Sequence, residues 1–394
     1  MQRRTLLKTI ATLPVAAISG NLFAAPATKS RLLVVFLRGG YDAANLLVPI
    51  SSKFYYEARP NIAVARPGVA LSCALPLTAE WGLHPALRES IFPLFQQGQA
   101  AFIPFAGTED LSRSHFETQD SIELGQPAAL SRNYRSGFLN RLAATLNDNG
   151  AMAFTDQLPI ILQGSVSLPN MSLRSFGKPA VDARQSKLIA AMYRGTVLAP
   201  QVTEGFVVRD EVQREMAGEM EAASRNAITS KGFELEARRI ARLMKDKYNI
   251  GFVDVGGWDT HVGEGGASGY LAGRLDELGR GLAGFAQEMG GDWRDTVVVV
   301  VSEFGRTFRE NGNRGTDHGH GTVYWVLGGG VRGGRIAGEQ IQIEQPTLFQ
   351  NRDYPVLNEY RAIFGGLFAR QYGLNAVQLE KIFAGVKARD IGLI

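Results

Sequence analysis

Three apolar runs stand out along the chain: Arg31–Leu37 (RLLVVFL), Ala100–Phe105 (AAFIPF) and the five consecutive valines Val297–Val301. Runs without polar alternation predict strands buried on both faces, as in a parallel sheet covered by helices. Shorter apolar stretches predict strands at Leu158–Leu162, Ile250–Val255 and Val323–Leu327. Helical spacing predicts a helix over Pro85–Gln97, shortened by Pro93, one running from about Ser114 through Leu124, and one over Ser131–Leu146. The same period recurs in Val208, Val212, Met216 and Met220, in Phe233, Ala237, Ile240 and Met244, in Leu271 to Met289 and in Tyr360–Leu367. Residues 49–76 read as loop-rich, 331–350 as a β-rich excursion, and 165–200 as an irregular insertion or lid. The alternation predicts an α/β fold, a mostly parallel central sheet sandwiched by helices. With no internal repeat and no linker, residues 28–394 read as one domain.

The ends of these strands carry the polar groups. Arg31–Leu37 runs into Arg38-Gly39-Gly40-Tyr41-Asp42, where Asp42 would stand at the mouth of the sheet or cap the next helix; position alone leaves both open. Ile250–Val255 leads into Gly256-Gly257-Trp258-Asp259-Thr260-His261, and in extended chain Asp259 and His261 project to one side. The valine strand leads into Glu303, Arg306, Arg309, Asp317, His318 and His320, and the last two share that same spacing. Three of the five histidines thus lie in two glycine-flanked loops, each close to an aspartate, at the strand ends where open α/β sheets place ligands. Carboxylate and imidazole together suit zinc, manganese or iron. His84 reads as a buried structural histidine. Ser112 and Ser114, before a predicted helix and beside His115, are placed as nucleophiles favoured by the positive helix end would be, but Ser114 and Glu117 also have capping-box spacing. Arg38, Arg306 and Arg309 could clamp a phosphate or sulfate, or be solvated surface groups.

Composition adds two constraints. The formal charge of +4 arises largely in residues 1–27, whose only charges are Arg3, Arg4 and Lys8, leaving 39 basic against 38 acidic groups beyond. A near-neutral body gives no support for nucleic-acid binding. Cys73 is the single cysteine, so an intrachain disulfide and a thiolate cluster are both excluded. Residues 1–27 look like a twin-arginine export signal, with a basic start, an apolar stretch too short to span a membrane and a small-residue cleavage region at Ala24–Ala27. The expectation is a periplasmic or secreted protein, handled by the twin-arginine translocation machinery and without a stable transmembrane anchor.

The leader, LLVVFLRGGYDAANLLVP, SRSHFE, GGWDTH, VVVSEFGRT and GTDHGHG together resemble an exported bacterial family of unknown function within the alkaline phosphatase and sulfatase-like superfamily. That resemblance implies an alkaline phosphatase/sulfatase-like sandwich with metal at the C-terminal strand ends. Position by position it implies Asp42 as the first-strand acid, Ser112 or Ser114 as nucleophile, and Asp259 and His261 as ligands together with His318 or His320. Glu303 and Asp317 complete the expected metal residues, and Arg38, Arg306 and Arg309 would bind substrate. The superfamily usually shows Asp-His-Gly where this chain has Glu303-Phe304-Gly305, Asp42 lies farther from its strand than the usual acid, and the Asp259–His261 spacing is short. One metal site is therefore expected rather than two, with Glu303 as an altered remnant of the second. The cofactor expected is a divalent metal, zinc first, with manganese, iron, magnesium or calcium as alternatives. The expected activity is hydrolysis or transfer of a small-molecule or polymer-borne anionic ester. The alternative is a non-catalytic envelope protein that binds or assembles and keeps the fold and at most one metal.

Overall fold

The computed structural model describes residues 29–127, 131–148, 150–173, 183–208 and 232–394. The leader at 1–27, the helical pattern beyond Val208 and residues 174–182 of the expected insertion lie outside them. The strands of the main sheet are β1 (Arg31–Leu37), β2 (Ala100–Gly107), β3 (Ala151–Ala153), β4 (Ile250–Val255), β5 (Thr296–Ser302), β6 (Thr322–Leu327), β7 (Arg335–Ile336) and β8 (Asn358–Glu359). They lie in the order β7-β2-β6-β5-β1-β4-β3, with β8 also paired to β2, and β6 alone runs against the rest. A mostly parallel sheet is therefore what forms.

Burial explains why the apolar runs are continuous. Leu33, Val35 and Leu37 of β1, with Val298 and Val300 of β5, belong to one core. Leu32, Val34 and Phe36, with Val297, Val299 and Val301, belong to the other. Each such valine contributes about 1.5–3 kcal/mol by leaving water, and a polar residue on either face would interrupt a core. The first core is closed by helices α3 (Phe233–Asp246) and α4 (Tyr270–Met289), the second by α2 (Phe138–Leu146), α5 (Tyr360–Tyr372) and α6 (Ala376–Ile382). Among the described residues no helix is long and apolar enough to cross a membrane.

Several local expectations change. Leu158–Leu162 is not a strand but a 3-10 turn at Ile160–Leu162. Pro159 cannot donate to a ladder, and side chains serve this backbone instead: Glu123 Oε2 accepts from Ile161 N at 3.0 Å and Asn140 donates to Leu162 O at 2.9 Å. The helix expected over 131–146 starts only at Phe138, because Gly137 packs with its backbone against Ile160 and Ile161 where no side chain fits. Pro85–Gln97 splits into a 3-10 turn at Pro85–Leu87 and a helix at Ile91–Gln96. Of the β-rich excursion only β7 is strand. Within β2, Pro104 coincides with a register shift against β6 between Ile103 and Ala106, and Phe105 takes φ +54°. Of the expected insertion, Ala183–Met192 is helical.

Register places the site. Leu37 of β1 pairs with Val255 of β4 on one side and Ser302 of β5 on the other, so three parallel strands end level. Because β6 is antiparallel, its first residue Thr322 lies at that same end, and the segment feeding it returns there.

Candidate metal centre

Helix α1 (His115–Leu124) follows the loop after β2 and opens with His115. The loop after β4 brings Asp259 and His261, and the segment between β5 and β6 brings Glu303, Arg306, Asp317 and His318. That last segment folds back on itself, with Arg306 and His318 forming an antiparallel bridge. It lies close on the β4 loop through backbone bonds from Thr316 N to Thr260 O (3.0 Å), Gly263 N to Asn313 O (2.9 Å) and Glu264 N to Arg314 O (2.9 Å). A side chain at Gly315 would strike the His261 backbone at 2.4 Å, so glycine is what permits the approach.

Three imidazoles converge on Asp259. His261 Nε2 is 2.9 Å and His318 Nε2 3.3 Å from Asp259 Oδ1, and His115 Nε2 is 3.5 Å from Oδ2. The two facing nitrogens, His261 Nε2 and His318 Nε2, are 3.1 Å apart. On the outward side every Nδ1 meets an oxygen that can only accept. His115 meets Glu303 Oε1 at 2.8 Å, His261 meets Asp317 Oδ1 at 3.2 Å, and His318 meets the Arg113 carbonyl at 3.0 Å. A hydrogen on each Nδ1 would leave the Nε2 lone pairs pointing inward, the tautomer that metal coordination uses.

This is the arrangement by which metal-binding histidines are oriented from behind. His115, Asp259 and His318 each offer a ligand atom within 4.8 Å of the other two. The triangle of Asp259 Oδ1, His261 Nε2 and His318 Nε2 has edges of 2.9, 3.1 and 3.3 Å. Ligands of a tetrahedral zinc ion, bonded at about 2.0–2.1 Å, lie roughly 3.3 Å apart. His115 Nε2 is buried without a hydrogen-bond partner. A donor set of imidazole nitrogen and carboxylate oxygen with one orphaned ligand atom fits a divalent cation of the zinc, manganese or iron type.

The electrostatics are asymmetric. Burial and the nearby His115 keep His318 below the usual histidine range, which favours its neutral form. The Glu303 hydrogen bond, opposed by burial, raises His115. Burial works against ionisation of Asp259, but the Arg306 hydrogen bond and charge, with His261 and His115, hold it below the usual carboxylate range. Arg306 Nη1 donates to Asp259 Oδ1 at 2.7 Å, while its other nitrogens hold Thr316.

The remaining predicted residues fall in different places. Glu303 is buried and saturated: Oε1 accepts from His115, Gln119 and Gly39 N, each at 2.8 Å, and Oε2 from Ser302 at 2.9 Å. It orients His115, and its neighbour Phe304, standing where the resemblance has an imidazole, packs its ring on His115 and His318. Asp317 supports His261 in the same way. Asp42 turns elsewhere, capping the short helix Ala43–Leu46 and forming a buried ion pair with Arg59. His320 is also elsewhere: the chain bends there, and its ring packs on Phe349. The two-residue spacing does not unite His318 with His320, because the chain bends at His320.

Ser114 is the N-cap residue of α1, but its hydroxyl makes no cap bond, so the capping box does not form. It is half-buried, between Arg113, whose carbonyl holds His318, and His115; Ser112 is exposed and 3.3 Å from the Thr118 hydroxyl. Arg38 is bound by Asp254 (2.7 Å) and Glu123 (2.9 Å), and Arg309 lies outward over Phe54 and the Asn351 carbonyl. His84 is fully buried between Gly266 O and Ala86 N. His115 is the member of the cluster to which the sequence pattern gave no role; its place on the first turn of the helix after a buried strand was the available signal.

Fold and site thus define a mostly parallel α/β protein with a histidine–aspartate cluster on level strand ends. The chain belongs to the family described as "Protein of unknown function (DUF1501)", which matches residues 29–383. No curated protein matches it. Among solved structures it is similar to a protein in the alkaline phosphatase superfamily from Vibrio parahaemolyticus, at 11% identity and TM-score 0.35, over 86% of this chain and 72% of that one. It is also similar to Ps i-CgsB in complex with k-i-k-neocarrahexaose, at 10% identity and TM-score 0.35, over 89% and 74%. Likeness of this degree assigns no activity.

Proposed function

We propose that the protein is a metal-dependent hydrolase or transferase of phosphate or sulfate esters, exported by the twin-arginine route to the periplasm or beyond. The observation that carries the metal reading is the set of three imidazoles whose Nδ1 atoms face acceptors outward and whose Nε2 atoms meet at Asp259. His115, Asp259, His261 and His318 would hold the ion; a cation there polarises an ester oxygen and lowers the pKa of a hydroxyl it contacts. Arg306 fixes the Asp259 carboxylate, and Glu303, Asp317 and the Arg113 carbonyl fix the three rings. Ser114, uncapped and adjacent to His115, is the nucleophile of this reading. The export reading rests on Arg3, Arg4 and the short apolar stretch after them.

Protein exported by its native route should carry stoichiometric divalent metal and cleave a member of a panel of chromogenic phosphate and sulfate esters. Ser114→Ala should abolish that cleavage while keeping the metal. A metal-free native preparation would refute the reading.

One observation favours a second reading, in which the chain binds metal in the envelope without catalysing. Arg38 and Arg306, expected to clamp an anion, are both engaged by carboxylates. Bound metal with no turnover of any ester in the panel would select it.

A further inference from the structure

Glu264 lies in the glycine-rich stretch Gly263-Glu264-Gly265-Gly266, where a glutamate reads as a solvated loop residue. It is instead completely buried. Its Oε2 accepts from the Thr260 hydroxyl at 2.8 Å and from the Thr316 hydroxyl at 2.8 Å. Thr260 stands between Asp259 and His261; Thr316 precedes Asp317 and His318 and also takes the Arg306 Nε bond at 3.2 Å. One carboxyl oxygen thus joins the two loops that carry three of the four ligands, directly behind them. Its Oε1 faces Asn45 Nδ2 at 3.4 Å, which links the pair to the short helix Ala43–Leu46 after β1.

We infer that Glu264 is a positioning residue of the metal centre, bridging Thr260 and Thr316 so that the Asp259–His261 loop and the His318 loop present their ligand atoms to one ion. The inference rests on the metal reading above and deepens it. Backbone bonds already bring the loops together, but they leave the two threonine hydroxyls directed into a dry interior. Without Glu264 both hydroxyl protons lose their acceptor there, Thr316 keeping only the bond it accepts from Arg306, and a buried donor left unsatisfied drives rearrangement of the loop that carries it. Burial and the adjacent Asp42 favour the protonated acid at Glu264, which has the hydrogen-bonding shape of a glutamine: an acceptor for the threonines and a donor toward Asp42.

The test compares Glu264→Gln with Glu264→Leu, which keeps the volume and removes the acceptor. Zinc and manganese affinities are measured by competition with a chromogenic chelator on the full mature chain, and folding is checked by circular dichroism. Losing an outer-shell hydrogen bond costs about 10–100-fold in metal affinity, and that loss is expected for Glu264→Leu, with Glu264→Gln within about threefold of wild type. Thr316→Val, a milder removal of one of the two bonds, should fall between them, and decides the matter if Glu264→Leu does not fold. Folded Glu264→Leu with wild-type affinity, or equal loss in the Gln and Leu variants, overturns the inference. Wild-type protein without affinity for either metal defeats the metal reading itself and takes this inference with it.

Discussion

His261 and His318 face each other Nε2 to Nε2 at 3.1 Å, while each turns Nδ1 to an oxygen that can only accept. Asp259 Oδ1 lies 2.9 Å from the first of these nitrogens and 3.3 Å from the second. A cation among the three atoms would satisfy both rings and the carboxylate together.

Removing a ligand should therefore cost more affinity than removing a support. Asp259→Asn and His318→Gln are expected to weaken zinc or manganese binding beyond the roughly 10–100-fold typical of outer-shell losses. Glu303→Gln, which alters the support behind His115 together with the bonds from Gln119, Gly39 and Ser302 but removes no ligand, should stay inside that range. Titration with a competing chelator reads all three.

Metal affinity should rise with pH, since each imidazole must shed its proton to coordinate. Glu303 raises His115, so the proton competes there to a higher pH than at an ordinary histidine. Glu303→Gln should shift the affinity profile toward lower pH. Affinity measured from pH 5 to 9 in wild type and variant checks the sign.

A separate pH effect belongs to His320. Burial, with Arg113 nearby, lowers its pKa to about 4 from the model-compound 6.5. A depressed histidine stabilises the fold fully above the unfolded value. That contribution shrinks as pH falls from 6.5 toward 4, where the unfolded chain binds the extra proton, and amounts to at most about 3 kcal/mol. His320→Gln should flatten unfolding free energy across that window in urea titrations.

Arg59 donates to both Asp42 oxygens, to Asn45 Oδ1 and to the carbonyls of Phe308 and Thr307, using its five N–H groups. Arg59→Met should cost about 3–5 kcal/mol by stranding the buried Asp42 carboxylate. Adding Asp42→Leu should recover part of that loss. Thermal and denaturant unfolding of the single and double variants decide it.

Gly39→Ala should damage stability and metal binding together. Gly39 has φ +126°, and a Cβ there would lie 2.7 Å from Asp259 N. Backbone strain of this kind costs about 1–3 kcal/mol, and the clash displaces the ligand loop. A lowered melting temperature without any loss of metal affinity would contradict the second half.

What the sequence disclosed followed from periodicity. Val297–Val301 and Arg31–Leu37 are legible because burial on both faces leaves no polar position, and Asp259, His261 and His318 stood out because they crowd strand ends, where the fold brings them together. Leu158–Leu162 misled because an apolar run has no direction of its own, and there side chains of Glu123 and Asn140 replace the ladder. His320 misled because spacing implies a shared face only where the chain is extended. Glu264 and Arg59 carried no signal, since their burial depends also on partners far along the chain, Thr316 for the first and Thr307 and Phe308 for the second. Asp42, left open between ligand and cap, became a cap once Arg59 was seen beside it.

His115, Asp259, His261 and His318 come from three segments of the chain that meet only across the finished sheet. The unfolded polypeptide thus lacks this cluster, and an ion held there would be taken up where the chain folds. If the leader carries the chain across the membrane already folded, a metal found in the site would record the cytoplasm's inventory, whatever ions surround the protein at its destination.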